Sequence, residues 1–482
     1  MCHLELRATY RDASPKIVGR ARPAESRIKK SGMLHVALSV LLSLGGCGGG
    51  GHPQPTLQTI VVTPNPATVV VAGVAQFTAI GHYSDGSTQD LTAQASWSSA
   101  SPTIATIGMN TGLATGLSAG GPLIVSATLS AVTGKANLTV VSFVPTGSMI
   151  APREEQTATL LNDGRVLITG GFSGVGTIQP IASAELYDRA LGSFSLTGSM
   201  TIARVAHTAT LLKNGKVLIA GGSNSGSSAE LYDPVSNTFA ATGNMTTARS
   251  QHTATLLSNG MVLIVGGFGS GPSAALASAE LYDPNTGIFT ATGNTTSPRP
   301  VSTATLLNTG KVLVAGGYDG TNYLASADLY DPATGTFSAT GDMTTARYAH
   351  TSTLLKTGKV LVTGGFNGTA VVASAELYDP ASGTFTSTSD MTSPRWVHAS
   401  TMLDDGSVLV TGGYPATPLV NVLASAEVYD PVAGTFAGVG NMTTARYAHT
   451  ATLLTNGTVL IAGGQGQPSA NQIVILFSAE LY

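Results

Sequence analysis
The sequence predicts an all-β chain in which a small β-sandwich precedes a ring of seven four-stranded sheets. Three observations lead there. The 482 residues include 58 glycines and only 10% charged residues, at a mean hydropathy of +0.22, which suits many short buried strands joined by turns. No run of apolar positions at helical spacing follows the first 46 residues. A Gly-Gly pair recurs at Gly170, Gly221, Gly266, Gly316, Gly364, Gly412 and Gly463, with spacings of 51, 45, 50, 48, 48 and 51 residues.

Residues 1–46 read as a signal or processing segment with a long basic extension. In "RIKKSGMLHVALSVLLSLGGC" basic residues precede an apolar run from Leu34 to Leu44, too short to span a bilayer but suited to the centre of a signal peptide. The "LGGC" that ends it resembles the lipobox of bacterial lipoproteins. That resemblance implies cleavage before Cys47, lipid on its thiol, and export to the bacterial cell envelope as a membrane-anchored lipoprotein of the outer membrane or cell surface. The other cysteine is Cys2, so a chain processed at Cys47 has no disulfide, thiolate metal site or thiol nucleophile. Residues 47–56 then form a glycine-rich tether stiffened by proline.

Eight of the 23 Lys and Arg lie within residues 1–30, whereas 15 basic and 23 acidic residues from Cys47 onward leave about −8. With that sign and no basic cluster, the chain is a poor partner for nucleic acid or anionic lipid.

Residues 57–142 carry short β-rich runs separated by turn signals, among them "TIVVT", "AQFTAIGHYSDGST" and "LIVSATL", the pattern of a small sandwich. "WSSASPTIATI" followed by "TGLATGLSAG" resembles the bacterial immunoglobulin-like group 2 domain. The resemblance implies that Trp97 is a core residue and that the domain acts as a spacer or adhesion module.

Residues 143–482 are one unit repeated. "HTATLL" is its first strand, and an Asn-Gly type turn leads into "KVLIAGG", the second. "SAELYDP" is the third, where proline marks the chain leaving the strand, and "GTFSATG" is the fourth. A single sheet of about 48 residues cannot bury both faces, but several packed around an axis can. The period, the Gly-Gly, an Arg and the Tyr-Asp resemble the kelch family, which implies a seven-bladed kelch-like β-propeller; the tryptophan frequent in its fourth strand is Phe here. Fourth-strand phenylalanines stand at Phe143, Phe194, Phe239, Phe289, Phe337, Phe385 and Phe436. Phe143 precedes the first Arg, so strand 143–149 should complete the last blade and leave no open edge.

Seven arginines keep the period: Arg153, Arg204, Arg249, Arg299, Arg347, Arg395 and Arg446. So do seven acids of the third strand, Glu185, Glu230, Glu280, Asp328, Glu376, Glu427 and Glu480. A histidine three residues after the Arg (His207, His252, His350, His398, His449) becomes Gln156 in the first unit and Ser302 in the fourth. One residue at seven equivalent positions implies a bond made seven times, not an asymmetric active site. We expect Arg–acid pairing within or between blades, with histidines bonded to backbone.

No catalytic residue, cofactor or metal site is expected. Gly-x-Ser-x-Gly, His-Glu-x-x-His and phosphate-binding glycine loops are absent. The repeat wording is also similar to the propeller of galactose-oxidase-like copper radical enzymes, a resemblance that implies a Cys–Tyr crosslink, and no Cys follows Cys47. A carbohydrate-processing site built from two carboxylates is the remaining catalytic alternative.

Function in a repeat protein should sit where the copies differ. The residue after each Arg runs Glu154, Val205, Ser250, Pro300, Tyr348, Trp396, Tyr447, with Glu155 beside Glu154. The loop after the second strand adds Tyr318, Tyr323, Phe366 and Tyr414. Together these predict an aromatic shelf on the loop face for a polysaccharide or protein partner.

Overall fold
The computed structural model describes residues 54–482 apart from stretches at 71–73, 118–119, 142, 175–177, 224, 271–273, 417–420 and 470–471. The signal segment and Cys47 lie outside the described residues. Among the described residues there is no helix, hence none long and apolar enough to cross a membrane.

The first domain alternates inward and outward side chains, as a half-buried strand must. In Leu57–Thr63, Ile60 and Val62 point into the core. That strand pairs with Thr78–Tyr83 and then Thr88–Asp90. The facing sheet runs Ala67–Val70, Val132–Val141, Gly120–Leu129, Ser96–Ser99. Trp97 is 3% exposed among Phe77, Leu91, Val125 and Leu138. Its indole N–H donates to the Thr92 carbonyl at 2.9 Å, so its one polar atom is satisfied in the core.

The repeats form seven four-stranded antiparallel sheets. In the fifth blade, Thr351–Leu354, Val360–Thr363, Ala375–Asp379 and Thr384–Ser387 pair in sequence order. The first strands stand side by side around one axis in an unbroken cycle, with Thr450–Leu453 returning to Thr157–Leu160. Each second strand is buried at all four positions, because a neighbouring blade covers each of its faces. That is why "VLIA" is continuously apolar where a half-exposed strand would alternate.

Between the fourth and fifth blades, Leu313, Ala315 and Ala327 pack on Val360, Val362, Tyr378 and Phe385. Equivalent cores fill every other gap, including Leu460 and Ala462 of the last blade against Val166, Ile168 and Tyr187 of the first. The Tyr378 ring lies 4.8 Å from cross-strand Phe385, and its hydroxyl bonds Thr340 of the preceding blade at 2.9 Å.

The last blade is built from both ends of the repeat region. Val144 pairs with Leu481 and Pro145 with Glu480, while the Phe143 ring lies 5.1 Å from Tyr482. Phe143 and Met149 are 9% and 3% exposed, so their loss opens two interblade cores. Deleting Phe143–Met149 is therefore expected to cost more than the about 3–5 kcal/mol of truncating one core Phe. Thermal unfolding measures this, and unchanged melting would contradict a strand-sealed ring.

Candidate functional site
The recurring Arg is fully buried within its own blade. Arg347 Nε and Nη2 donate to Glu376 Oε1 at 3.3 and 2.9 Å. Nη1 donates to the carbonyls of Gly364 and Ser374, both at 2.8 Å, and Nη2 to Ser374 Oγ at 2.9 Å. The Thr344 backbone N–H donates to the other carboxylate oxygen at 2.7 Å, so a desolvated ion pair has its remaining hydrogen-bonding capacity largely filled. Burial pulls the guanidinium below its ordinary pKa, and the Glu376 carboxylate works against that shift.

The same pairing joins Arg153 to Glu185, Arg204 to Glu230, Arg249 to Glu280, Arg299 to Asp328, Arg395 to Glu427 and Arg446 to Glu480, at 2.8–2.9 Å. In the fourth blade the acid is one methylene shorter, and Thr296 Oγ1 supplies an extra donor to Asp328 at 2.8 Å. The serine of "SAEL" is a partner that the sequence reading does not single out, although it recurs as regularly as the acid.

The Arg backbone faces the other way. The Arg347 carbonyl accepts from Gly317 N–H of the preceding blade at 2.9 Å. A Cβ on neighbouring Gly316 would stand 2.6 Å from that carbonyl oxygen, and its φ is +65°, so the Gly-Gly is required by both space and conformation. One residue thus clamps its own sheet with its side chain and the adjacent sheet with its main chain.

Through Nε2 the histidines bond to threonine side chains of the preceding blade. His350 Nε2 lies 3.0 Å from Thr303 Oγ1, His398 3.0 Å from Thr351 Oγ1, and His449 2.8 Å from Thr411 Oγ1. Burial, helped by the adjacent Arg, pushes His207, His252, His350 and His398 down to about 3. They are neutral at ordinary pH and fixed, which suits neither a base nor a proton shuttle.

The aromatics expected to form a shelf are brought together, but mostly as packing. Tyr414, Tyr447 and Trp396 are 1%, 4% and 8% exposed, a correction to the open shelf. They end a chain of rings running Tyr318, Tyr323, Phe366, Trp396, Tyr414, Tyr447, with centroid steps of 5.3, 5.2, 5.5, 6.3 and 3.9 Å; Tyr348 meets Tyr323 edge-on at 5.6 Å. The cause is a backbone bridge that sequence spacing does not reveal. Trp396 pairs with Tyr414 and Tyr348 with Phe366, just as Glu154 pairs with Phe172. This tucks the residue after each Arg under the loop that follows the second strand. Tyr318, Tyr323, Tyr348 and Phe366 remain half-buried, so the surface these rings offer lies over the fourth and fifth blades. Glu154 is buried near Tyr414 and Tyr447, and Glu155 is half-buried. Burial raises both tyrosine pKa values, Tyr447 the further because Tyr414 adds to it, and the Glu154 carboxylate contributes to both in the same direction.

The second residue after each Arg carries a further feature with no sequence signal. Glu155, Ala206, Gln251, Val301, Ala349, Val397 and Ala448 all have φ between 50° and 54°, a left-handed conformation costing a non-glycine residue about 1–3 kcal/mol. Their main chains link tangentially. Gln251 N–H donates to the Ala206 carbonyl at 2.9 Å, Val301 to Gln251 at 3.0 Å, Val397 to Ala349 and Ala448 to Val397 at 3.1 Å, and Glu155 to Ala448 at 3.3 Å. Their side chains line a cavity of about 360 Å³ at the axis, on the same end as the variable loops.

Residues 57–140 match the bacterial Ig-like domain (group 2), and residues 302–344 and 347–392 match the Kelch motif. A stretch of 97 residues is 42% identical to Ice-binding protein 1 of Shewanella frigidimarina (strain NCIMB 400). It covers 20% of this chain and 11% of that protein, so the chain spans about a ninth of that relative's length. Among solved structures, a fungal alcohol oxidase of the AA5 family in complex with copper aligns at a TM-score of 0.57 over 70% of this chain and 75% of that one. At 19% identity the likeness is one of fold. Among the described residues no three His, Cys, Asp or Glu side chains are grouped to hold a metal ion, and the repeat histidines are spent on threonines of adjacent blades.

Proposed function
We propose that this chain, which carries a bacterial Ig-like domain followed by kelch motifs, is a non-catalytic binding protein of the bacterial cell envelope. The Ig-like domain serves as a spacer, and the propeller presents its loop face to a glycan or protein partner. One observation carries the reading. The polar residues repeated in the blades, the arginines, their acids and the histidines, are buried and bonded to one another or to neighbouring blades. What varies from blade to blade is concentrated on one face, where Tyr318, Tyr323, Tyr348 and Phe366 keep part of their surface open. Half-buried aromatic rings held by packing suit stacking on sugar rings or gripping a peptide, because little side-chain freedom is lost on binding.

Export is supported by the bacterial Ig-like match, by the 97-residue likeness to a bacterial ice-binding protein, and by the "LGGC" that ends the apolar leader. Anchoring through lipid on Cys47 belongs to the same proposal. A carbohydrate-processing role is the second reading, resting on the same face.

The test is binding of the full chain to a panel of polysaccharides and cell-wall fractions, beside Tyr323→Ala. The expected result is saturable binding that the variant loses by at least about tenfold while melting within a few degrees of the parent. Trp396→Ala is the wrong probe, because removing that buried ring unfolds or loosens the blade. Failure of a well-folded parent to bind any polysaccharide would redirect the search to envelope proteins.

A further inference from the structure
The axial cavity has a chemistry of its own, distinct from the aromatic face. Seven side chains at equivalent positions surround it, and they are not alike. Glu155 is ionisable, Gln251 is an amide, and the other five are Ala or Val. Val301 and Ala349 belong to the blades three steps from Glu155 in either direction, so they stand across the axis from it. A carboxylate on one wall and an apolar wall opposite make an asymmetric site on a pseudo-symmetric scaffold.

Two facts decide what that site accepts. Gln156, next to Glu155 and 6% exposed, donates its Nε2 to the Ala462 carbonyl at 2.9 Å, leaving Oε1 buried without a partner on the cavity wall. A buried acceptor left unmet costs about 1–3 kcal/mol, so this pair of residues favours a ligand rich in donors. The backbone N–H groups of five of the seven left-handed residues, Glu155 among them, are turned along the ring toward neighbouring carbonyls, so they do not form the inward nest that would hold an anion. Among the described residues no Lys or Arg lines the cavity. The histidines there are neutral, and the nearby arginines are paired with their own acids.

We infer that the axial cavity binds a short aliphatic primary ammonium ion, with its charge at Glu155 and Gln156 and its carbons against Val301 and Ala349. The ammonium head offers three donors and one positive charge in a compact group. A bare divalent ion would instead want six or more oxygens at close range, and no such group exists among the described residues. A volume of about 360 Å³ lies at the small end of ligand pockets, which suits a chain of a few carbons.

The experiment is calorimetric titration of the full chain with n-butylamine at pH 7, with n-butanol, butyrate and calcium chloride as comparators. Saturable binding of butylammonium is expected, with butanol and butyrate at least about tenfold weaker. Glu155→Gln should weaken butylammonium binding by at least about tenfold without changing the melting temperature. Gln156→Ser, which installs the residue the fourth blade uses at that position, should weaken it severalfold. Tyr323→Ala should leave it unchanged, which separates this site from the partner surface proposed above. No saturable butylammonium binding, equal affinity in Glu155→Gln, equal affinity for butyrate, or displacement by calcium at lower concentration would each overturn the assignment.

Discussion

An Arg347→Ala variant is expected to lose about 3–5 kcal/mol of stability, because Glu376 stays behind as a buried carboxylate with its main partner removed. The loss is larger than the Coulomb energy of one surface pair, which is worth at most about 1 kcal/mol. The carbonyls of Gly364 and Ser374 also lose a donor they share. Urea unfolding of the parent and variant measures the difference, and a variant as stable as the parent would refute the clamp. Ser374→Ala is the finer probe. It removes one acceptor from the guanidinium and is expected to cost about 1.5–3 kcal/mol, the range for hydrogen bonds to charged groups.

Acid should unfold the ring through its buried histidines. Four of the buried histidines are held neutral down to about pH 3, and His449 is likewise held well below its ordinary value. In the unfolded chain each binds a proton below about pH 6.5. The unfolded state therefore takes up more protons than the folded one as pH falls from about 6.5 towards 3, and stability falls with it. Each histidine removes about 1.4 kcal/mol per pH unit in that window. Five together would exhaust a margin of about 5–15 kcal/mol within two to three units. The melting temperature is thus expected to be flat from pH 8 to 7 and to drop steeply between 6 and 4.5. His350→Gln, which installs the residue the first blade carries as Gln156, should make that drop shallower by one proton. A melting temperature unchanged between pH 7 and 5 would show that the histidines are not held as described.

The fold could be read from the sequence because its repeats carry their own punctuation. "VLIAGG" announces a strand buried on both faces and the glycine turn that follows, and seven copies announce seven blades. The Arg and the acid could be paired by counting, since both recur without exception. The αL residues could not be found this way. Glu155, Ala206, Gln251 and Val301 share a conformation that no common side chain encodes. The aromatics failed for a related reason. Trp396 and Tyr447 could be named as blade-specific, but their burial accompanies isolated bridges, Trp396 to Tyr414 and Tyr447 to Gln465, between residues 18 apart in the chain. The histidine partners are hidden because threonine is so common in "HTATLL" that no single one stands out.

The last blade has a consequence for how the molecule comes into being. Val144 and Pro145 emerge from the ribosome before any repeat, while Glu480 and Leu481 follow every other strand of the ring. Until they arrive, the growing chain is an open arc with an uncovered face at each end, over Val166 and Ile168 on one side and Leu409 and Ala426 on the other. Those faces are apolar and suited to joining a second arc. The chain has to be kept from doing so until its final strand is in place. Closure of the ring in one late step is the order of events this topology demands.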